Sequence, residues 1–312
     1  MALRYYPDTN PGFTRQRRGR GFSYLAADGT RIDRPAVIDR LKALAVPPAY
    51  GDVWLSPYTN GHLQASGRDD AQRKQYIYHP DWAAQRAEVK FEQLVPFGEA
   101  LPAIRRWITT RLGGEPGAFE TAAAAVLALL DRASLRVGAP DYTAQNGSHG
   151  ATTLLPEHAQ IDDTGLTLRF PAKGGTPVET HLNGARLAAV LDDCQDLPGA
   201  HLITFGDGAL IRSEHLREIL SDLARTDITP KTFRTWNGTH AAFLAATQAT
   251  TITALADAAA ERLHNTPTIA RTSYIHPKVI ALAENDTRAS LEDTAPDGYR
   301  RGEPALLDLL RG

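Results

Sequence analysis

The sequence predicts an α+β protein: a small β-rich N-terminal domain followed by a larger, mostly α-helical domain that carries a small β-hairpin sheet. Three observations predict this. Residues 22–79 run in short, β-like stretches broken by Asp28-Gly29, Pro47-Pro48 and Asn60-Gly61. Around Asp81 to Phe91 the pattern turns helical and stays mostly so, which puts a boundary in the range 80–95 and divides the chain into residues 1–90 and 91–312. Within the second part, Leu-Thr-Leu-Arg-Phe, Ala-Lys-Gly-Gly-Thr and Val-Glu-Thr-His-Leu (166–182) alternate around a glycine pair, which reads as a hairpin.

Taken in order, residues 1–20 read as poorly ordered, with Pro, Gly and the basic cluster Arg15, Arg17, Arg18 and Arg20. Arg34 to Leu44 reads as one short helix. Asn60-Gly61 lies between Trp54-Leu55 and His62-Leu63-Gln64, a hairpin signal. Phe119 to Leu135, packed with alanine and leucine, is a buried helix with Arg136 at its end. Lys173 falls at or beside the turn of the 166–182 hairpin, where a long side chain projects without packing. Helices resume at 185–193 and at 214–225, the latter with Ser213 as N-cap. Thr229-Pro230 and Thr266-Pro267 each join a capping residue to a proline at the first helical position. The first pair starts a helix with Lys231 and Arg234 on one face; the second lies just before Tyr274. The last 25 residues read as a polar, acidic tail.

Composition narrows the class. A chain of 312 residues suffices for two domains with real cores. No run approaches eighteen apolar residues, so no membrane span is expected, and no apolar segment follows the N-terminal arginines to suggest secretion. The single cysteine, Cys194, excludes an internal disulfide, fits a reducing cytoplasm and reads as a small buried side chain. A net charge of −2 does not advertise nucleic-acid binding, but its distribution says more. Residues 1–90 hold 14 Lys+Arg against 9 Asp+Glu, and the remainder 20 against 27. A basic N-terminal part is the footprint of a segment that grips phosphates; the acidic remainder must then gather its basic residues on one face. Ten histidines lack metal-ligand spacing, and Gly206-Asp207-Gly208 is too short for a phosphate loop, so neither metal, cofactor nor nucleotide is expected.

Five polar residues suggest a chemistry: Arg136 in Leu-Arg-Val-Gly, Lys173 in Ala-Lys-Gly-Gly, Arg234 in Lys-Thr-Phe-Arg-Thr-Trp, then Asn265 and Tyr274 on either side of Thr-Pro-Thr-Ile-Ala-Arg-Thr-Ser. A phosphodiester under attack needs its non-bridging oxygens neutralised, and arginine matches two of them with a fixed charged fork. Two arginines from separate elements hold such a phosphate from two sides. A tyrosine, with an ordinary pKa of about 10, needs a cationic setting to attack as phenolate. The leaving oxygen needs a proton, which a lysine among arginines can give, the role assigned to Lys173, with Lys231 able to assist. Asn265 cannot titrate and can only donate a hydrogen bond. Singly, each residue has an ordinary explanation: a packed tyrosine, a surface arginine, a lysine in a solvated turn. Their joint occurrence in this order carries the inference.

At these residues the chain resembles the type IB DNA topoisomerases of the bacterial, poxvirus-like branch, from Gly-Phe-Ser-Tyr (21–24) through Ser-Tyr-Ile-His-Pro (273–277). The resemblance implies a catalytic domain of the tyrosine recombinase/type IB topoisomerase kind, with Tyr274 forming a 3′-phosphotyrosyl link. Poxvirus members carry histidine where this chain has Asn265, whereas bacterial members often have asparagine. His264 adjoins it, and a one-residue shift would make His264 the candidate; the Thr-Pro spacing to the tyrosine favours Asn265. In Arg-Lys-Gln-Tyr-Ile-Tyr-His (73–79), Arg73 and Gln75 suit base edges and Lys74, Tyr76 and Tyr78 suit phosphates. On spacing alone this could equally be a sheet with core tyrosines; the resemblance implies contact with the major groove. The expectation is therefore a monomer that clamps double-stranded DNA and works without ATP or metal, cytoplasmic and nucleoid-associated. The rivals are a tyrosine recombinase, disfavoured because Lys231 stands where recombinases usually place histidine, and a non-catalytic DNA-binding protein.

Overall fold

The computed structural model describes residues 2–19, 21–162, 165–248, 250–291 and 294–312; Arg20 of the basic cluster lies outside them. The chain divides into two compact units, Met1–Val89 and Lys90–Gly312.

The first unit is a sheet with one helix on it. Its elements are β1 (Phe13–Arg18), β2 (Gly21–Leu25), α1 (Pro35–Ala43), β3 (Gly51–Leu55), β4 (Leu63–Arg68) and β5 (Lys74–Tyr78), after which α2 (Pro80–Glu92) runs across the boundary. The strands lie in the order β2-β1-β3-β4-β5, every neighbouring pair antiparallel. The turn at Asn60-Gly61 joins β3 to β4 as its sequence indicates, with Trp54 opposite Ser66. Tyr24, Leu41, Val53, Leu55 and Ala65 form the core.

Residues 1–20 are a correction. They contain β1, which pairs with both β2 and β3. Phe13 packs against the core. Arg15 turns inward and donates to the carbonyls of Val46, Pro47 and Tyr50 at 2.7, 2.8 and 2.9 Å, with Phe22 beneath its guanidinium. An arginine spent on a loop is indistinguishable in sequence from one left for phosphate.

The second unit comprises α3 (Leu94–Arg111), α4 (Phe119–Ala133), α5 (Pro140–Asn146), β6 (Ala159–Asp162), β7 (Gly165–Pro171), β8 (Pro177–Leu182), α6 (Ala185–Gln195), α7 (Ser213–Ala224), α8 (Thr232–Ala245), α9 (Ile252–Leu263), α10 (Pro267–Tyr274), α11 (Pro277–Glu284) and α12 (Glu303–Arg311). Helix α4 is its axis: Thr121 through Asp131 are all buried, and the alanines let neighbouring helices approach on every side. It packs against α3, α6, α7 and α8, and α8, α9 and α10 pack on one another. The 166–182 hairpin forms as β7 and β8, with Phe170 opposite Val178, and gains a third strand, β6, that the alternation does not announce.

Three boundaries move. Helix α4 ends at Ala133, because Ser134 takes the left-handed conformation (φ 54). Ser213 is the first residue of α7 and Arg212 its N-cap. Pro230 and Lys231 form a turn that leads into α8 at Thr232.

The acidic tail is the larger correction. Its end is the amphipathic helix α12, whose Leu306, Leu307 and Leu310 are buried against the main core. Glu303, fully buried, accepts two bonds from Arg105 (2.6 and 2.8 Å) and one from Trp236 (3.0 Å). Asp131 joins Arg105 and Arg300 to the same network. Burial alone would raise the Glu303 carboxyl, but Arg105 first, then the Arg300 amide and Trp236, bring it down to about 2.

Candidate active site

Arg136 sits just beyond α4. After the left-handed Ser134 the carbonyls of Arg136 and Val137 accept the amides of Ala151 (2.8 Å) and Thr152 (2.7 Å). The two segments meet at Gly150, where a Cβ would lie 2.6 Å from both the Arg136 carbonyl oxygen and the Gly138 nitrogen. Only glycine permits that approach. From this platform the Arg136 side chain donates from Nη2 to Oδ1 of Asn265 at 2.8 Å.

Arg234, on the first turn of α8, is 3% exposed. Its Nη1 donates to the Ser134 carbonyl and its Nη2 to that of Leu263 at 2.9 Å. Both acceptors belong to helix C-termini, of α4 and α9, where the helix dipole favours a cation. Asn237, one turn further along α8, locks the same α4 end through the Leu130 and Asp131 carbonyls and Ser134 Oγ. Burial first, then the neighbouring charge of Arg136, lower the Arg234 guanidinium to about 10, leaving it charged near neutrality.

Asn265 follows α9, whose end is set by His264 in the left-handed conformation (φ 50) and by the Asn265 amide bonding back to Ala260. With Oδ1 taken by Arg136, the Nδ2 donor is buried and has no partner, as is Nε of Arg234. Buried donors are rarely left unpaired, because each forfeits its hydration without return. Both would be satisfied by an acceptor that carries several oxygens.

Tyr274 closes α10, which Thr266 caps as its sequence indicates, accepting from Ile269 at 3.4 Å. The tyrosine is 9% exposed, and the Arg234 guanidinium carbon lies 5.2 Å from its ring centre. Its approach to α8 depends on Gly238, where a Cβ would stand 3.1 Å from Tyr274 Cβ and 2.7 Å from Leu263 Cδ1. Burial, the largest single influence, pushes the phenol up; contact with Arg234 and the charges of Arg136 and Lys231 more than reverse it, so its pKa lies below the ordinary value.

The structure thus brings together Arg136, Arg234, Asn265 and Tyr274, with Lys231 exposed at the head of α8 and close enough for its charge to act on the phenol. Lys173 is set apart: it is exposed on the β7–β8 turn, closed by the Gly175 amide bonding to the Ala172 carbonyl at 2.9 Å. The preceding residue, Ala172, lines one narrow recess with Arg136, Arg234, His149 and His264. Burial first, then Arg234, hold the His264 imidazole below its usual value, and it pairs with the Ala133 backbone. Sequence reading missed Gly238 and Thr239, which seat Tyr274 on α8, and Lys90, whose Nζ donates to the Ser273 carbonyl at 2.9 Å.

The 73–79 tract lies in the first unit, on β5, the edge strand of its sheet. Lys74, Tyr76 and Tyr78 occupy the exposed face, the two tyrosines 47% and 45% exposed and stacked with centroids 6.0 Å apart. Gln75 faces the other way and donates to Asp69 at 3.0 Å. Arg73, just before the strand, pairs with Asp69, and Lys74 with Asp8 at 2.8 Å. Among the described residues, no group of three or more His, Cys, Asp or Glu could hold a metal ion, and no helix is long and apolar enough to cross a membrane.

Comparison with known proteins gives this arrangement a family. Residues 21–69 match the bacterial DNA topoisomerase IB N-terminal domain, and residues 73–273 match the catalytic core of eukaryotic DNA topoisomerase I. The second match takes in Arg136, Lys173, Arg234 and Asn265 and stops one residue before Tyr274. The chain is also similar to DNA topoisomerase 1B of Acanthamoeba polyphaga mimivirus, 23% identical over 310 residues that cover 92% of this chain and 91% of that protein. With a catalytic-core match over most of its length and a bacterial N-terminal-domain match ahead of it, the chain belongs to the type IB DNA topoisomerases.

Proposed function

We propose that this topoisomerase relaxes both positive and negative supercoils by cutting one strand through a 3′-phosphotyrosyl intermediate, with Tyr274 as the nucleophile. The observation that carries the reading is the pair of buried, unpartnered donors, Arg234 Nε and Asn265 Nδ2, beside a tyrosine whose phenol is lowered. Tyr274 Oη gives up its proton to water and attacks the scissile phosphorus; the bond to the 5′ oxygen breaks. Arg136 and Arg234 neutralise the non-bridging oxygens, and Asn265 adds a hydrogen bond from Nδ2. Asn265 is preferred to His264 because its oriented amide already rests on Arg136 while His264 is engaged with Ala133.

Lys173 hands its proton to the leaving 5′ oxygen, with Lys231 assisting. The exposure of Lys173 on a glycine-rich turn beside the recess supports a side chain that swings in when DNA is bound. The cut 5′ end swivels under torsion, and its hydroxyl then attacks the phosphotyrosine, re-forming the strand and expelling the tyrosine. The ester conserves the energy of the phosphodiester, and two arginines and an amide supply the charge neutralisation, so neither ATP nor metal has a step to perform. The first unit acts as a DNA-binding clamp domain, with Arg73, Lys74, Gln75, Tyr76 and Tyr78 on the duplex, and residues 91–312 as the catalytic domain. The protein works as a monomer, in the cytoplasm, on the nucleoid.

The test is relaxation of supercoiled plasmid with excess EDTA and no ATP, comparing wild type with Tyr274→Phe. Relaxation of both supercoil signs by the wild type alone is expected. A Tyr274-dependent adduct without relaxation would point to a recombinase, and neither activity in folded protein would leave a DNA-binding fold only.

A further inference from the structure

Helix α10 ends at its proposed nucleophile, and like any helix it leaves its last carbonyls without helical donors. In a continuing helix the Ser273 carbonyl would accept the amide of residue 277 and the Tyr274 carbonyl that of residue 278. Residue 277 is proline and has no N–H. The amide of Lys278 is taken by Nδ1 of His276 (3.0 Å), which caps α11. The two carbonyls flanking the tyrosine are therefore orphaned by the chain itself. Side chains from elsewhere meet both: Thr239 Oγ1 donates to the Tyr274 carbonyl at 2.9 Å, and Lys90 Nζ to the Ser273 carbonyl at 2.9 Å.

We propose that Lys90 is a positioning residue for the transesterification, its ammonium fixing the carbonyl before Tyr274 and so the direction of the phenol. It touches neither DNA nor the reacting atoms. The site suits a cation: a helix C-terminus attracts positive charge, and the ring of Phe91 lies 4.1 Å beneath Nζ. Phe91 itself meets the His276 ring edge to face at 5.1 Å, so of two consecutive residues one holds the carbonyl before Tyr274 and the other packs on a side chain two residues after it. The charge that acts on Lys90 is that of Lys231 at the head of α8, and across Phe91 lies His276 at the head of α11. Burial first, then Lys278, hold His276 down to about 4, so it is neutral in the working range. Burial first, then Lys231, bring Lys90 down to about 8. Above that pH the ammonium, and with it the charge-assisted bond to Ser273, is lost.

This inference rests on Tyr274 being the nucleophile, and the experiment separates the two. Single-turnover covalent-adduct formation is measured at saturating duplex DNA for wild type, Lys90→Met and Lys90→Arg, with DNA affinity measured in a Tyr274→Phe background. Lys90→Met is expected to slow adduct formation by roughly 10–100-fold, the cost of a misplaced reacting group, with affinity unchanged. Lys90→Arg keeps a cationic donor and is expected to stay within about threefold of wild type. The rate of wild type relative to Lys90→Arg should fall as pH rises through about 8, because the lysine loses its proton there and the arginine does not. If Lys90→Met fails to fold, Lys90→Gln takes its place with the same readings. Adduct formation at the wild-type rate overturns the proposal. So does a deficit that more DNA abolishes, which would make Lys90 a phosphate contact, or a wild-type to Lys90→Arg ratio that does not change with pH. An absent adduct in the wild type refutes the nucleophile assignment instead.

Discussion

Replacing Glu303 by glutamine should destabilise the helical unit far more than its place nine residues from the chain end suggests. The folded carboxyl lies at about 2, against an ordinary 4.5. A difference of that size corresponds to about 3 kcal/mol of stability at neutral pH, at about 1.4 kcal/mol per pKa unit. An independent route gives a similar figure, since removing one partner of a buried ion pair costs about 3–5 kcal/mol. Glutamine keeps the volume and can still accept from Trp236, but of the two carboxylates on Arg105 it leaves only Asp131, beside the Gly298 carbonyl. At about 2–4 °C per kcal/mol for a unit of this size, Tm should fall by about 6–12 °C at pH 7. The sign with pH follows from the depressed carboxyl. Its contribution is complete above the unfolded value near 4.5 and is lost as pH falls toward 2. Thermal unfolding of wild type and Glu303→Gln, followed by circular dichroism between pH 7.5 and pH 3, should show two melting curves that converge in acid. Equal Tm values at pH 7 would show that the network adds nothing; a gap that persists unchanged at pH 3 would show that packing, not charge, is responsible.

Two further outcomes bear on the site. Lys173→Ala should be severely impaired on an ordinary substrate, by a factor of roughly 10²–10⁴ for a lost general acid, and rescued by a 5′ leaving group that needs no proton; equal impairment on both substrates would remove that role. Tyr76→Ala should weaken noncovalent DNA binding, by about 1.5–3 kcal/mol if its hydroxyl donates to a phosphate, since the side chain is half exposed on an edge strand and is not part of the core. Unchanged affinity and cleavage rate would mean that the stacked tyrosines serve the sheet alone.

Much of the fold could be read from local pattern. The Asn60-Gly61 turn, the Thr266-Pro267 cap and the glycine pair at 174–175 are each decided by conformational preferences of a few adjacent residues, and each forms as its sequence indicates. Arg136, Arg234, Asn265 and Tyr274 could be singled out because phosphoryl chemistry restricts the side chains that can serve it and because their order matches the family the chain resembles; the fold links the first three to one another and to the tyrosine. Local pattern failed where a segment's structure depends on a distant partner. Strand β1 is held through Arg15, whose three carbonyl partners lie thirty or more residues away. Helix α12 is polar enough to pass for a tail, and it is ordered by Arg105 and Trp236 meeting Glu303 inside the core.

The same division runs through the site. Residue chemistry specified a phosphodiester, a tyrosine and cations. Which side chains answer that carbonyl, which donors stay unpaired and whether the phenol is raised by burial or lowered by charge were settled only by folding. Hydrogen bonds and charge interactions act over a few ångströms of space, and the chain brings residue 90 to 273 and residue 136 to 265 only by closing its core.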